Sequence, residues 1–462
     1  MSNLKDHKTI GQELELFFTN EIAPGAPFWL PKGMVIFKEL EKFIRELTLA
    51  ADYQETSTPM MVKSEIFKQS GHWTKFGENN MYNLSLWETE EIEEIQKIVN
   101  KITLASDVQN EILKSAIPYT LKINYHGEEI EVRIMNPVRT PDGLVFSMSL
   151  PINYTLKPMN CPESTILYRF RPRSYKELPL RFSEIGRLHR REKSGEVNGL
   201  LRVRQLTMDD AHIFAREDQI ENEVENILDT MVKFYESFGL EYEFKLATRP
   251  EERAGNDKDW DKAEKILENV LKRKKLKYSQ KDKDGAFYGP KIDLHIKDAQ
   301  KREWQLATVQ LDFHQPQAFD LKYVNEKGEQ KRPVMVHRAI FGSFERFIAI
   351  LTEHYQGAFP VWLSPIQVQV LPITDNNIDY SQKIVEKLNQ AGLRTEVNIK
   401  NETLQAKIRG AALLKIPYIL IIGNKEEESK KVAVRIRGGK DLGLMTIEDF
   451  ISQIEKDIKE KK

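Results

Sequence analysis

The sequence contains a single cysteine, Cys161, among its 462 residues. One thiol cannot form an internal disulfide, so a disulfide scaffold is excluded and a reducing compartment is indicated. No apolar run reaches the about 18 residues that a membrane-spanning helix needs. The opening residues, MSNLKDHKTI, carry an acidic side chain and no apolar segment, which argues against a secretory signal or an organellar presequence. We therefore expect a protein of the cytoplasm, or of an organellar matrix, that has no membrane contact.

The chain also lacks a dominant charge sign, since 69 Lys and Arg residues stand against 70 Asp and Glu residues. Any polyanionic partner must therefore be bound by local basic patches rather than by the field of the whole protein. Strings typical of several enzyme classes are absent: the Walker A loop, the dinucleotide glycine fingerprint, HExxH, CxxC and the serine nucleophile elbow. The hydrophobic content of 40% is typical of a globular enzyme, and the length predicts about two or three domains.

Hydrophobic periodicity predicts helices over residues 7–20 and 33–50, followed by an extended segment at residues 53–61. Residues 84–156 differ in character and read as an inserted α+β element. Residues 88–116 predict one or two helices, and the alternating segment 119–134 predicts a hairpin around His126 and Gly127. Loops are predicted at Pro137, Pro141, Gly143 and Pro151.

The segment from residue 157 to about 355 predicts a core of antiparallel strands and helices. Its predicted strands are 180–190, 200–214, 286–297 and 302–312, and its predicted helices are 217–238, 257–274 and 339–356. After a linker near residue 362, strands and helices alternate, which predicts a separate α/β domain with a mixed sheet. The predicted strands there are 366–371, 394–398, 417–422 and 431–437, and the predicted helices are 380–391, 402–414 and 447–459.

Cys161, His212 and His337 are a candidate metal-binding set. Three protein ligands would leave the fourth tetrahedral position open for water or a substrate. A lone cysteine is also often just a small buried hydrophobic residue. Asp210 shares a strand face with His212, whereas Asp209 points to the opposite face, so Asp210 is a candidate for binding a substrate hydroxyl or ammonium group.

Residues 181–204 predict two strands joined by a charged loop, which would direct Arg190, Glu192 and Arg202 toward one face. Guanidinium groups bind phosphate oxygens, and a carboxylate accepts hydrogen bonds from an exocyclic amine. A surface hairpin with internal salt bridges is the alternative. Arg346 is a second candidate contact for a base or phosphate. The basic run 272–275 is either a solvated helix end or a tRNA contact.

Taken together, these segments resemble class II aminoacyl-tRNA synthetases, and within them the threonyl-tRNA synthetase family. The strings KPMNCP, RVRQLTMDDAHIF, FYGPKID, VQLDF and VMVHRAIFGSFERF occur in the order typical of that family. The helix before Thr58 and Pro59 resembles motif 1, residues 179–212 resemble motif 2, and residues 337–352 resemble motif 3. The HIGH and KMSKS strings of class I synthetases are absent. The resemblance covers residues 7–84 and 156–462.

The resemblance implies an antiparallel class II catalytic sheet flanked by helices and a C-terminal α/β anticodon-binding domain. The implied division is 1–83 and 157–361 for the catalytic domain, 84–156 for the insert, and 362–462 for the anticodon-binding domain. The implied metal is one Zn²⁺ per subunit, held by Cys161, His212 and His337. Roles that the resemblance implies for other residues are threonine binding by Asp210, Tyr288 and Gln310; ATP binding by Arg190, Glu192, Arg202, Gln305 and Arg346, with Arg190 and Arg346 also catalytic; the transfer step for His72; and anticodon contacts for Asn401, Arg409, Glu426 and Arg435.

The implied reaction is activation of threonine by ATP with Mg²⁺, followed by transfer to tRNA(Thr), in a homodimer. Because the chain begins at the catalytic core without the editing domain of many relatives, we expect appreciable activation of serine, which is either corrected by a separate protein or tolerated. Met208 and Leu306 replace a glutamine and a cysteine common in relatives, which leaves the pocket's shape open. The alternatives are a non-catalytic tRNA-binding paralogue and a class II synthetase for serine or proline.

Overall fold

The computed structural model describes residues 4–88, 93–102, 106–114, 119–125, 128–140 and 143–461. Its contacts divide the chain into two units, one of residues Met1–Thr58 and Met159–Lys462 and one of residues Pro59–Pro158. Residues 59–83, expected in the first part of the catalytic domain, thus group with the 84–156 segment. The division into four parts stays a prediction.

The first unit begins with two helices that are separated by a pair of short antiparallel strands. Its elements here are α1 (His7–Glu13), β1 (Phe17–Thr19), β2 (Pro27–Trp29), α2 (Pro31–Ala50) and β3 (Gln54–Glu55). The prediction of helix 33–50 is confirmed, and the apolar stripe of α2 is buried. The prediction of one helix over 7–20 is wrong: α1 ends at Glu13, and Glu15 has a left-handed backbone (φ 53°) that turns the chain into β1.

The second unit is an α+β element with its own apolar core. It comprises β4 (Met61–Lys63), α3 (Glu65–Gln69), β5 (Tyr82–Glu88), α4 (Glu93–Ile102), α5 (Ser106–Lys114), β6 (Tyr119–Tyr125), β7 (Glu128–Thr140) and β8 (Gly143–Leu156). β6 and β7 pair antiparallel as predicted, but the turn residues 126–127 lie outside the described residues. The loops predicted at Pro137, Gly143 and Pro151 are wrong, because β7 and β8 run through them. A register shift between Met135 and Val138 accommodates Pro137, and Pro141 lies outside the described residues.

The first unit resumes with a large sheet and the helices that cover it. Its elements are α6 (Cys161–Arg169), β9 (Leu180–His189), β10 (Gln205–Ala215), α7 (Ile220–Glu236), β11 (Tyr242–Ala247), α8 (Asp257–Arg273), β12 (Tyr278–Lys281), β13 (Lys291–Lys297), β14 (Glu303–Asp312), α9 (His314–Ala318), β15 (Tyr323–Val324), β16 (Gln330–Lys331), β17 (Val334–Ser343) and α10 (Phe344–His354). The strand order is β12-β11-β13-β14-β17-β10-β9-β3, and every neighbouring pair from β11 to β9 is antiparallel.

Periodicity predicted α7 and α8 well, since both carry one apolar stripe on the sheet. It missed β11, and it placed the start of the helix of residues 339–356 too early, because residues up to Ser343 belong to β17. The strand ends where Gly342 takes a left-handed backbone (φ 76°) and where the Ser343 hydroxyl accepts a hydrogen bond from the Arg346 N–H at 3.3 Å. This hydroxyl caps α10 and sets its first turn.

The last part of the chain is an α/β layer with a mixed sheet, as predicted. Its elements are β18 (Val368–Pro372), α11 (Ile378–Gln390), β19 (Thr395–Val397), α12 (Leu404–Leu413), β20 (Tyr418–Ile422), α13 (Asn424–Ser429), β21 (Val432–Ile436), β22 (Asp441–Met445) and α14 (Ile447–Lys459). Strands β19, β18 and β20 are parallel, and β20, β21 and β22 are antiparallel. Sequence reasoning missed the short elements α13 and β22.

Within the first unit, polar contacts join this α/β layer to α2 and to the segment between α10 and β18. Arg394 donates to Glu39 of α2 at 2.6 Å and to the Trp362 carbonyl at 2.7 Å, and Arg437 donates to the Phe359 carbonyl at 2.8 Å. No helix within the described ranges is long and apolar enough to cross a membrane.

Candidate active site and metal centre

Three predicted metal ligands meet on the large sheet. Cys161 is the first residue of α6, and His212 on β10 pairs directly across the strands with His337 on β17. One ligand atom of each residue lies within 4.8 Å of the other two, and all three residues are buried. The antiparallel register of β10 and β17 therefore brings together residues that lie far apart in the sequence.

The donor set of this cluster fits a zinc ion. One sulfur and two imidazole nitrogens, with a fourth position left over, are typical of three-ligand zinc sites. Asp312 Oδ2 lies 2.8 Å from Nε2 of His337, which leaves Nδ1 of that ring to serve as the ligand. Burial and the nearby carboxylates raise the pKa of the Cys161 thiol. A bound cation would displace the thiol proton, because the thiolate is the form that ligates metal.

The residues predicted to bind an amino acid surround this cluster. Asp210 Oδ2 lies 3.8 Å from His212 Nε2, as expected for two residues on one face of β10. The Tyr288 ring stacks on His337 with 4.8 Å between centroids, and its hydroxyl donates to Oε1 of Gln310 at 2.7 Å. Burial raises the pKa of Asp210 and of the Tyr288 hydroxyl. These side chains offer both donors and acceptors to a small polar ligand.

Arg190, Arg202 and Arg346 form an arginine cradle next to these residues. Burial lowers the pKa of Arg346, and the positive charges of Arg190 and Arg202 lower it further. Arg346 is held by the Leu201 carbonyl, 2.9 Å from its Nε, and its guanidinium lies 5.6 Å from the Trp304 ring centroid. An anion relieves the repulsion between these part-buried and exposed cations, so the cradle is a candidate phosphate site.

Glu192 faces the cradle through Arg202, whose Nη2 lies 2.8 Å from Oε2 of Glu192. This ion pair matches the salt-bridged hairpin that sequence reasoning kept as an alternative. The salt bridge does not exclude the phosphate-binding interpretation, because the Glu192 charge also acts on the other two arginines of the cradle. It opposes the lowering of the pKa of Arg346 and of Arg190. Asp210 and Cys161 act on the pKa of Arg190 in the same direction, so Arg190 is the member of the cradle that is coupled electrostatically to the metal cluster.

Gln305 and His72 are placed differently from the other predicted residues. Gln305 is half-buried on β14, in register with His295, and follows Trp304, whose ring lies next to the Arg346 guanidinium. His72 belongs to the second unit, where it is buried and its Nδ1 lies 2.8 Å from the Ser70 hydroxyl. The role of His72 stays a prediction.

The four residues predicted to contact an anticodon lie in the C-terminal α/β layer. Asn401 and Arg409 are exposed. Glu426 accepts from the Gly423 N–H at 2.9 Å, so this side chain also caps α13. Arg435 Nε lies 3.5 Å from the Asp441 carboxylate across β21 and β22. Of these four residues, Glu426 and Arg435 make contacts within the layer, whereas Asn401 and Arg409 present exposed side chains to solvent.

The structure also shows the surroundings of the basic run 272–275 and of Met208 and Leu306. Within the basic run, Lys272, Arg273 and Lys274 each pair with carboxylates of α7 or α8, which favours the solvated helix end over a tRNA contact. Met208 packs against a small apolar cluster that includes Leu206, and Leu306 is buried in the main core.

Sequence reasoning missed the buried acids that organise this site. Asp209 accepts hydrogen bonds from the backbone N–H groups of Ile340 at 2.7 Å and Gly342 at 2.9 Å. These hydrogen bonds lie at the register shift between β10 and β17, where the Asp209 carboxylate takes the place of strand-to-strand bonding just before α10. Glu345 accepts from the Thr207 N–H at 2.9 Å. The consecutive acids of the DDAH string were the available signal, but only the strand register shows what Asp209 binds.

Two family models match the chain. Residues 146–355 match the "tRNA synthetase class II core domain (G, H, P, S and T)", and residues 367–457 match the "Anticodon binding domain". The chain is 42% identical over 457 residues to the threonine–tRNA ligase of Clostridium kluyveri, covering 99% of this chain and 62% of that protein. A threonine–tRNA ligase of Acetivibrio thermocellus matches at the same identity and coverage. The chain therefore spans about 62% of the length of these curated relatives.

A solved structure resembles almost the whole chain. The RNA binding domain of threonyl-tRNA synthetase from Cryptosporidium parvum Iowa II aligns with a TM-score of 0.80 and 32% identity, covering 98% of each chain. A prolyl-tRNA synthetase structure from Cryptosporidium parvum aligns with a TM-score of 0.63 at 14% identity, which shows a shared fold alone. With the two family models and the order of its strings, this likeness shows that the chain belongs to the threonyl-tRNA synthetase family of class II aminoacyl-tRNA synthetases.

Proposed function

We propose that this chain activates threonine with ATP and transfers the threonyl group to tRNA(Thr). The observation that carries the proposal is the buried Cys161–His212–His337 cluster with Asp210 at its edge. A metal centre beside a hydrogen-bonding carboxylate suits an amino acid with a side-chain hydroxyl. A pocket built to bind a hydroxyl rejects an isostere that lacks one far better than an apolar pocket does, so valine would be excluded.

In the first step, a threonine carboxylate oxygen attacks the α-phosphate of ATP, and pyrophosphate leaves. Arg190, the member of the cradle that is coupled electrostatically to the metal cluster, would hold the carboxylate and the α-phosphate together. Arg346 and Arg202 would bind the rest of the nucleotide, with Glu192 accepting from the adenine amine. Positioning and charge stabilisation supply the catalysis, because phosphoryl chemistry of this kind needs little covalent help from the protein. Mg²⁺ would enter with ATP.

Zn²⁺ would be held by Cys161, His212 and His337, and when bound it supplies a positive centre for the amino and hydroxyl groups of threonine. Tyr288 and Gln310 would line the same pocket through their mutual hydrogen bond. Gln305 would extend the nucleotide side of the site from β14. One such cluster in the described part of the chain supports one metal ion per subunit.

In the second step, a terminal ribose hydroxyl of tRNA attacks the threonyl carbonyl, and AMP leaves. His72 would orient or deprotonate that hydroxyl. The C-terminal layer would bind the anticodon, with Asn401 and Arg409 as contacts, joined by Glu426 and Arg435. Unstacked bases are read by polar side chains of this kind. We further propose that the protein is a cytoplasmic homodimer.

The test is amino-acid-dependent ATP–pyrophosphate exchange with threonine, serine, valine and proline, before and after zinc chelation. The expected result is exchange with threonine, weaker exchange with serine, none with valine or proline, and loss of activity on chelation. Exchange with none of the four by folded, zinc-loaded protein would support the non-catalytic paralogue instead. Exchange with proline or serine above threonine would support the other class II specificities.

A matched pair of variants tests the metal assignment separately. His337→Gln removes one cluster ligand, whereas His314→Gln changes a histidine that lies outside the cluster and stacks edge-on against Phe287. Zinc content measured on the purified proteins should fall in His337→Gln and stay near one per chain in His314→Gln. Equal zinc content in both variants would contradict the assignment.

A further inference from the structure

Asn160, the residue immediately before Cys161, has an unusual position for its type. It is the N-cap residue of α6 and is fully buried, yet its side chain makes no capping hydrogen bond. Asparagine is favoured at N-caps because its side-chain oxygen accepts from the first helical N–H groups. Here the amide is turned away from the helix, and its Nδ2 donates to Oδ2 of Asp210 at 3.0 Å. The side chain therefore serves Asp210 instead of α6.

The neighbouring strand makes room for this amide. Gly186 on β9 is in register with Met208, and its backbone has no left-handed φ that would require glycine. A Cβ at Gly186 would lie 2.5 Å from Oδ1, 2.6 Å from Nδ2 and 2.9 Å from Cγ of Asn160. These are its three nearest contacts, so the glycine leaves space for the Asn160 amide in particular.

The amide is kept despite a cost. Oδ1 of Asn160 is buried and has no hydrogen-bond partner among the described residues. Buried polar atoms without partners are rare in folded proteins and call for an explanation. The reverse orientation of the amide would place its oxygen against the Asp210 carboxylate, so Asp210 fixes the orientation that leaves Oδ1 unpaired. A leucine of similar size would avoid the unpaired oxygen but could not donate to Asp210.

We propose that Asn160 is a positioning residue that orients the Asp210 carboxylate toward the side-chain hydroxyl of the amino-acid substrate. Gly186 provides the space in which the amide acts. The inference rests on the proposed function, because Asp210 matters for specificity only if threonine is the substrate. Without the Asn160 donor, the carboxylate can rotate away from the hydroxyl, and threonine loses the contact that valine never makes.

The first test compares Asn160→Ala and Asn160→Leu with the wild-type protein in ATP–pyrophosphate exchange. We expect kcat/KM for threonine to fall roughly 10- to 100-fold, the effect of losing one hydrogen bond to a charged group. KM for ATP should stay unchanged, because the arginine cradle is not altered. Asn160→Leu removes the unpaired Oδ1 as well, so its melting temperature should be at least that of Asn160→Ala.

A purely structural role for Asn160 would lower the melting temperature of both variants and leave the preference for threonine over valine intact, which would overturn the proposal. Zinc content is measured on each variant. An unchanged zinc content alongside reduced threonine use supports action through Asp210, whereas loss of zinc in step with loss of activity would overturn it.

The second test is a double-mutant cycle with Gly186→Ala. In the wild-type background the added Cβ must displace the Asn160 amide, so threonine kcat/KM should fall. In the Asn160→Ala background the three nearest contacts are gone, so Gly186→Ala should add little. Equal effects of Gly186→Ala in both backgrounds would overturn the inference alone. Wild-type protein without threonine-dependent exchange would overturn the proposed function, and this inference with it.

Discussion

Glu345 offers a prediction in which pH and stability are linked through one buried acid. It is the second residue of α10, only 3% exposed, and it precedes Arg346 of the cradle. Its carboxyl accepts from the Thr207 N–H at 2.9 Å, which ties α10 to β10. Burial raises its pKa from 4.5 to about 7. The folded protein therefore holds this proton more tightly than the unfolded chain does.

The sign of the pH effect follows from that difference. Stability from the neutral acid is fully present below pH 4.5 and is lost as the pH rises through about 7. Between pH 5 and pH 8.5, linkage predicts that the wild-type protein loses ~2.5 kcal/mol of unfolding free energy through this group. Glu345→Gln keeps an oxygen that accepts from Thr207 and cannot ionise, so the variant should gain that amount relative to wild type over the same range.

The measurement is urea unfolding of the wild type and Glu345→Gln at several pH values, compared as differences. Asp209, whose pKa burial also raises to about 7, contributes equally to both proteins and cancels. Glu236→Gln, on the exposed end of α7, controls for the loss of a surface charge. A difference between wild type and Glu345→Gln that stays constant with pH, or that favours the wild type more at pH 8.5, would refute the reasoning.

Three further predictions concern stability, amino-acid selectivity and tRNA binding. His7→Ala should lower the unfolding free energy by about 2–5 kcal/mol in denaturant titration, because it removes partners 2.8 Å from Glu353 Oε1 and 3.1 Å from the Leu200 N–H; a change below about 1 kcal/mol would contradict it. Serine should be activated at about 1/10 to 1/200 of the threonine kcat/KM, since one methyl group supplies about 1–3 kcal/mol, and strict rejection of serine in the exchange assay would contradict this limit. Arg409→Ala should raise KM for tRNA in aminoacylation without changing pyrophosphate exchange, and an effect on exchange would place Arg409 outside the anticodon role.

The predicted site residues illustrate what sequence can and cannot supply. The ordered strings identified Cys161, His212 and His337 together, although spacing alone left a buried structural cysteine open. Their approach to within 4.8 Å depends on the pairing of β10 with β17. That pairing joins distant segments, so no local periodicity encodes it. Family resemblance bridged the gap, whereas Asn160 and its partner Asp210 required the coordinates, because the donor and the acceptor lie on different elements.

The errors in the predicted elements have local physical causes. Apolar residues at 10, 14, 16 and 17 fit a helix, but the left-handed backbone of Glu15 divides them between α1 and β1. In the second unit, prolines read as loop signals, yet a bulge in β7 lets Pro137 stay within a long strand. Periodicity describes side-chain exposure, and a single reversed dihedral or bulge changes the element without changing that pattern.

The pairing within the second unit has a consequence for chain entropy. The chain enters this unit through β4 and leaves it through β8, and these strands pair antiparallel, with Met61 opposite Leu156. The Lys157 N–H also donates to the Met60 carbonyl at 2.8 Å. The two ends of this 100-residue unit are therefore held next to each other by the unit's own strand pairing. Closing such a loop instead of a four-residue turn would cost ~3 kcal/mol of configurational freedom. Because β4 and β8 already hold the ends together, the length of the chain between them can change with little effect on the folding of the large sheet of the first unit.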